Sequence, residues 1–231
     1  MQELTLPGAA GDPSTPAVAA LPPGARRGMV VIHEIFGRQP EIDRVVLRFA
    51  EAGYATVAPD LFADGMLRCM RAVVGELAER KNSLPVRRTV AARDWLMRET
   101  GLPEKKIGII GFCFGGMFAL VVGHAFGAVS TNYGARVPAT DVLRGMGPVI
   151  GCYGGRDLVT KRQPGILERR LARVGVTPEL HVYPDAGHSF LTDGHHPIAS
   201  AASWPIMHVG FHERSAQDAW PKIMDFFERS L

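Results

Sequence analysis

Apolar positions along this chain recur with two periods. Short continuous β-branched or aliphatic runs read as strands buried on both faces: Met29–His33, Tyr54–Ala58, Lys106–Gly111, Ala128–Tyr133, Pro148–Tyr153 and Glu179–Tyr183. Between them lie stretches with helical spacing and helical stop signals. Pro40–Ala52 ends at Gly53, Cys69–Arg80 follows, and Pro85–Thr100 carries Val86, Val90, Trp95 and Leu96 before Gly101. Phe114–Phe126, Pro164–Val174 before Gly175, and Ser215–Leu231 complete the helices. Leu4–Leu6 and Ala17–Leu21 suggest an edge hairpin inside a Pro-, Gly- and Ala-rich opening segment.

Strands alternating with helices imply an α/β fold, a mostly parallel central sheet with helices on both faces. At 231 residues the chain is expected to form a single domain, 1–231. Within it, 1–28 reads as a loop-rich N-terminal segment and 190–213 as a loop covering a pocket. In such sheets ligands sit beyond the C-terminal ends of the strands. Glu34, Cys113, Asp157 and His188 all fall at those ends.

The sharpest local signal is Gly111-Phe112-Cys113-Phe114-Gly115-Gly116. A strand that turns at once into a helix puts one side chain at the apex in a strained backbone conformation. Glycines two positions either side let strand and helix approach closely. A thiol there lies near a helix N-terminus, whose partial positive charge favours thiolate. Cysteine also packs as a small core residue, and sequence alone leaves that reading open. A nucleophile needs a base, and the base needs a partner to fix its tautomer. Gly154-Gly155-Arg156-Asp157 and Asp185-Ala186-Gly187-His188 supply an acid and a histidine after successive strands. The order nucleophile, acid, histidine is that of α/β-hydrolases. Asp157 also reads as a turn residue, His188 as a structural histidine, and Asp185 as a rival acid in turn chemistry.

With these motifs the chain resembles the dienelactone hydrolase family, cysteine-using α/β-hydrolases. The resemblance rests on Val30-Val31-Ile32-His33-Glu34-Ile35-Phe36-Gly37, on the cysteine corner, on Gly154–Asp157 and on Tyr183–Phe190. It implies the α/β-hydrolase fold and a carboxylic ester hydrolase, carboxymethylenebutenolidase-like, opening a lactone or cleaving an activated ester through a cysteine acyl-enzyme. Cys113 would be the nucleophile, His188 the base, Asp157 its orienting acid, and Glu34 the group that helps activate the thiol. Backbone N–H groups of Ile35 and Phe114 would form the oxyanion hole. Arg71 and Tyr133 stand as candidate substrate contacts, with Arg68 and Arg136 as further arginines. Members acting on dienelactone hold the substrate carboxylate with arginines, one of them soon after the histidine. Here Ser189-Phe190-Leu191-Thr192-Asp193 contains none.

Composition narrows the alternatives. A formal charge of +3, without a basic cluster beyond Arg26-Arg27 and Arg87-Arg88, argues against nucleic-acid or membrane-surface partners. Three cysteines without C-x-x-C spacing argue against a disulfide framework or structural zinc and fit a reducing, cytoplasmic location. The N-terminus does not read as a signal peptide, and no apolar run is long enough to span a bilayer. His195, His196, His208 and His212 match no metal-ligand pattern, and His33-Glu34 lacks the second histidine of H-E-x-x-H. No metal or cofactor is expected; the partner is a small-molecule ester or lactone, and the assembly a monomer or weak homo-oligomer. Two further readings stay open. One is a general carboxylesterase without lactone preference, the other a non-catalytic protein using the pocket for a small ligand or redox sensing.

Overall fold

The strands expected from the apolar runs all form, and in the computed structural model they join one sheet. The structure describes residues 1–8, 11–193 and 205–231. Eight strands run β1 (Gln2–Leu6), β2 (Thr15–Ala20), β3 (Arg27–Ile32), β4 (Tyr54–Pro59), β5 (Ile107–Phe112), β6 (Ala128–Asn132), β7 (Val149–Gly154) and β8 (Glu179–Tyr183). Their spatial order is β1-β2-β4-β3-β5-β6-β7-β8. β1 and β2 pair antiparallel with each other, and β2 antiparallel with β4; the other pairings are parallel. The opening segment thus contributes two strands to the sheet edge.

Alternation along each central strand assigns its side chains to two cores. Val30 and Ile32 of β3, with Ile107 and Ile109 of β5, meet α2 (Met66–Glu76), α3 (Leu84–Thr100), α4 (Phe114–Val122) and α5 (Gln163–Ala172). Met29, Val31, Ile110 and Phe112 face α1 (Pro40–Glu51) and α6 (Glu213–Ser230) on the other side. α1 buries Ile42, Val45, Val46 and Phe49, spaced i, i+3, i+4, i+7. Each such side chain contributes about 1.5–3 kcal/mol of transfer free energy, an upper figure because denatured chains already bury some surface.

Most helix ends fall within two residues of expectation, but two helices stop four residues early, each for a local reason. α2 stops at Glu76 instead of Arg80 because the buried Glu76 carboxylate accepts the N–H groups of Lys81 and Ser83, both at 2.7 Å, and turns the chain. α4 ends at Val122 and tightens into a 3-10 turn, Gly123–Ala125, instead of running to Phe126. A Cβ on Gly123 would lie 2.5 Å from the Met146 side chain, so the chain passes close to its neighbours there.

Of segment 190–213, residues 194–204 lie outside the described residues, and His195 and His196 with them. A helical turn at 205–207 and the chain after it run beside the His188 loop. His188 N–H donates to Met207 O at 2.8 Å, Gly210 N–H to His188 O at 3.1 Å, and His212 N–H to Phe190 O at 3.2 Å.

Candidate active site

β5 ends at Phe112 and α4 begins at Phe114, so Cys113 alone makes the corner. Its φ of 53° and ψ of −113° lie where non-glycine residues are rare, a strain on the order of 1–3 kcal/mol. The surroundings hold it there. Cys113 N–H donates to Asn132 O at 3.0 Å, Asn132 Nδ2 donates to Gly111 O at 3.1 Å, and Met117 N–H closes the first helical turn onto Cys113 O at 3.2 Å. The glycines are required by proximity: a Cβ on Gly111 would sit 2.0 Å from Gly115 O, and one on Gly115 2.4 Å from Ile32 O. Gly115 therefore lets α4 start against the end of β3.

Of the three free thiols, Cys69 and Cys152 are buried and Cys113 is partly exposed. Burial pushes both Cys69 and Cys152 up to about 12, which keeps them protonated and unreactive near neutral pH.

His188 and Asp157 meet where the loops after β8 and β7 converge. His188 Nδ1 lies 2.6 Å from Asp157 Oδ2, with both side chains buried. Asp157 is itself fixed: Oδ1 accepts Val159 N–H at 2.9 Å and Thr160 N–H at 3.3 Å, and Oδ2 accepts the Thr160 hydroxyl at 2.5 Å. A carboxylate acceptor at Nδ1 places the proton there and leaves Nε2 as the basic nitrogen of the neutral ring. Nε2 is buried without a well-aligned hydrogen-bond partner among the described residues. Burial alone would lower the imidazole's affinity for a second proton. The negative charge that the Cys113 sulfur would carry as a thiolate, followed by the hydrogen bond of His188 with Asp157, outweighs that and raises His188 to about 10. Asp157 moves the opposite way: burial would raise it, but the bonds and charge of His188 with the Thr160 and Val159 donors hold it below the usual carboxylate range.

Glu34 follows β3 and begins a turn whose ends pair as an isolated bridge, Glu34 with Gly37. Its Oε1 receives hydroxyl groups from Tyr133 at 3.2 Å, Thr192 at 3.1 Å and Ser189 at 3.4 Å. Tyr133 is fully buried, its ring 5.0 Å from that of His188, and it feels the charges of both Glu34 and Cys113. Burial first, then Glu34, pushes its phenol well above the usual tyrosine range, so it remains a donor. Glu34, Cys113, Tyr133 and His188 therefore share one neighbourhood, with Asp157 bonded behind His188.

Phe114 is the first residue of α4, so its N–H has no acceptor within its own helix and opens toward the corner. Ile35 follows Glu34 in the adjacent turn. Arg71 and Arg68 are exposed on α2; Arg68 lines a small cavity with Cys69 and Arg88, and Arg136 lines a groove with Val137 and Arg170. None of these arginines has a hydrogen bond or ion pair to the Cys113 neighbourhood among the described residues. Among those residues no group of three or more His, Cys, Asp or Glu is placed to hold a metal.

Sequence reasoning passed over His33, Ser189 and Thr192. His33 carried a signal, since a histidine in a run of buried aliphatics must find polar partners. Nothing in the sequence marked the two hydroxyls, which reach Glu34 across 155 and 158 positions.

The sheet order and the strand–cysteine–helix corner at its centre define an α/β-hydrolase. The chain belongs to the dienelactone hydrolase family, whose profile matches residues 15–231, and is a hydrolase acting on ester or lactone bonds. It is similar to the carboxymethylenebutenolidase of Rhodococcus opacus, 29% identical over 257 residues and covering 100% of this chain and 91% of that one. Among solved structures, a dienelactone hydrolase-like promiscuous phosphotriesterase from metagenomic libraries superposes with a TM-score of 0.77 at 21% identity, covering 99% and 98% of the two chains. The dienelactone hydrolase of Anabaena variabilis gives 0.61 at 22%, covering 89% and 98%. No helix among the described residues is long and apolar enough to cross a membrane.

Proposed function

We propose that this protein hydrolyses lactones or activated carboxylic esters through an acyl-thioester on Cys113. The observation that carries this reading is the strained Cys113 at a helix N-terminus beside a His188 whose other nitrogen is bound to Asp157 at 2.6 Å. In this reading the Cys113 sulfur gives its proton to His188 Nε2 and attacks the carbonyl carbon. The carbonyl π pair moves onto oxygen, toward the N–H groups of Phe114 and Ile35. Collapse of the adduct expels the alcohol or enol oxygen, which takes the proton from His188. Water, deprotonated by His188, then attacks the thioester and releases Cys113. Each oxyanion donor is worth on the order of 10²–10³ in rate.

Glu34 acts as the activating carboxylate. A negative charge beside the sulfur opposes thiolate formation. Hydrogen bonds from the Tyr133, Thr192 and Ser189 hydroxyls to Oε1 would spread that charge and relieve the opposition. A reactive thiol is preserved in a reducing compartment, consistent with a cytoplasmic enzyme.

Sulfur limits the substrate. A thiolate leaves more readily than an amine or ordinary alkoxide, so adducts of amides and unactivated esters revert, whereas enol lactones and aryl esters go forward. One observation favours the broader carboxylesterase reading: the run Ser189–Asp193 after His188 offers Glu34 two neutral hydroxyls and contains no arginine for a substrate carboxylate. Turnover of a panel of lactones and aryl esters, with Cys113→Ala as control, tests the proposal. Cysteine-dependent turnover of an enol lactone or p-nitrophenyl acetate supports it. Turnover that survives in Cys113→Ala, or amides cleaved as fast as the matching aryl esters, overturns it.

A further inference from the structure

His33 is wholly buried between the site and the loop after β4. Its Nε2 lies 3.1 Å from the backbone N–H of Leu61, which can only donate, so Nε2 accepts. Burial lowers the imidazole's proton affinity and keeps it neutral. A neutral ring that accepts at Nε2 carries its proton on Nδ1. That proton points at the carbonyl oxygen of Glu34, 2.7 Å away. The Phe62 ring packs edge-on against the imidazole at 4.6 Å and fixes its plane.

The Glu34 carbonyl belongs to the same peptide unit as the Ile35 N–H. A trans peptide is planar, with C=O and N–H pointing in opposite directions. Anchoring the oxygen therefore aims the hydrogen. Gly37 N–H also donates to this oxygen, at 3.1 Å, which pins one edge of the turn. The turn itself lies against the nucleophile corner, because a Cβ on Gly115 would meet His33 O at 2.6 Å, and the Phe62 and Phe114 rings touch at 5.4 Å.

We propose that His33 is a positioning residue for the oxyanion hole: by donating from Nδ1 to Glu34 O, it orients the Ile35 N–H toward the oxygen that becomes negative during attack. The proposal rests on the cysteine-hydrolase reading and adds to it a residue that never touches substrate.

Its test separates oxyanion stabilisation from nucleophile reactivity. The variants are His33→Ala, His33→Asn, whose amide nitrogen falls near the place of Nδ1, and His33→Gln, whose amide reaches the place of Nε2 and keeps only the Leu61 contact. Two probes are compared. Iodoacetamide alkylates the Cys113 sulfur by displacing iodide, with no oxyanion. 2,2,2-Trifluoroacetophenone accepts the sulfur at its carbonyl carbon; the C–S bond forms, the π pair becomes an alkoxide, and the adduct is followed by fluorine NMR. His33→Ala and His33→Gln are expected to weaken the ketone adduct and lower kcat/KM for p-nitrophenyl acetate together, by tenfold or more. KM and the alkylation rate should stay near wild type, and His33→Asn should recover most of the loss. Equal losses in alkylation and adduct formation, unchanged adduct affinity in His33→Ala, or a His33→Gln variant as active as wild type would each overturn the proposal. If wild type failed to turn over ester, the hydrolase reading would fall, while ketone affinity would still report on His33.

Discussion

Tyr133 and Glu34 meet in the protein interior, the phenol of one donating to Oε1 of the other across 3.2 Å although 99 positions separate them. Thr192 Oγ1 stands 3.1 Å from both oxygens, so two side chains that carry no charge at neutral pH receive the carboxylate. A charge in such a place depends on every donor it has, because a buried ion left short of hydrogen bonds costs far more than an exposed one. Tyr133→Phe keeps the ring between Phe112, Phe190 and His188 and removes only the hydroxyl. Urea unfolding should show a loss of about 1–3 kcal/mol. Ester turnover should fall with it, and Thr192→Val should act in the same direction.

Asp157→Asn tests the tautomer of His188. An amide has one acceptor oxygen where the carboxylate has two; with that oxygen kept by the Val159 and Thr160 N–H groups, its NH2 faces Nδ1 and favours the opposite tautomer. Turnover of p-nitrophenyl acetate should drop by up to about 10⁴, the loss that neutralising a triad acid causes. Titrating the imidazole by NMR should show its raised value falling back from about 10, since the Asp157 bond is one of the forces holding it up.

Stability should depend on pH from both sides. His188 is raised in the fold from the ordinary 6.5 to about 10, so its contribution is complete below 6.5 and disappears as pH rises through about 10. His33 is depressed by burial, so its contribution is present above 6.5 and is lost as pH falls through its lower folded value. Urea midpoints measured from pH 5 to 9, below the range where the buried thiols Cys69 and Cys152 begin to contribute, should fall at both ends. His188→Ala should flatten the alkaline limb and His33→Asn the acidic one.

Gly115→Ala places a methyl group 2.4 Å from a backbone carbonyl, a contact that no side-chain rotation relieves. The cost should reach or exceed the upper end of the roughly 1–3 kcal/mol typical of overpacking. Loss of turnover should exceed what the unfolded fraction explains, because the shift occurs at the corner that aims Cys113. Comparing active-site titration with circular dichroism at the same temperature measures this.

Glu76 provides a control away from the chemistry. Its carboxylate closes the α2–α3 connection on two backbone donors. Glu76→Ala should lower the unfolding free energy by about 1–3 kcal/mol while kcat at a permissive temperature stays unchanged.

The sequence by itself determined the layers and their order of appearance. Runs such as Met29–Ile32 are apolar at every position and suit only a strand covered twice, whereas Ile42, Val45, Val46 and Phe49 suit only a helix covered once. It also marked the Cys113 corner, because close strand–helix approach demands glycine at 111 and 115. These are local requirements, written in neighbouring residues. Only the tertiary structure decided what long-range contact controls. It brought Asp157 onto His188, set Tyr133, Ser189 and Thr192 around Glu34, and ran residues 205–212 along the histidine loop. It also set the His33 ring between the Leu61 N–H and the Glu34 carbonyl. A hydroxyl or imidazole leaves no periodic trace of its partner, since a hydrogen bond fixes distance and angle in space and not separation along the chain.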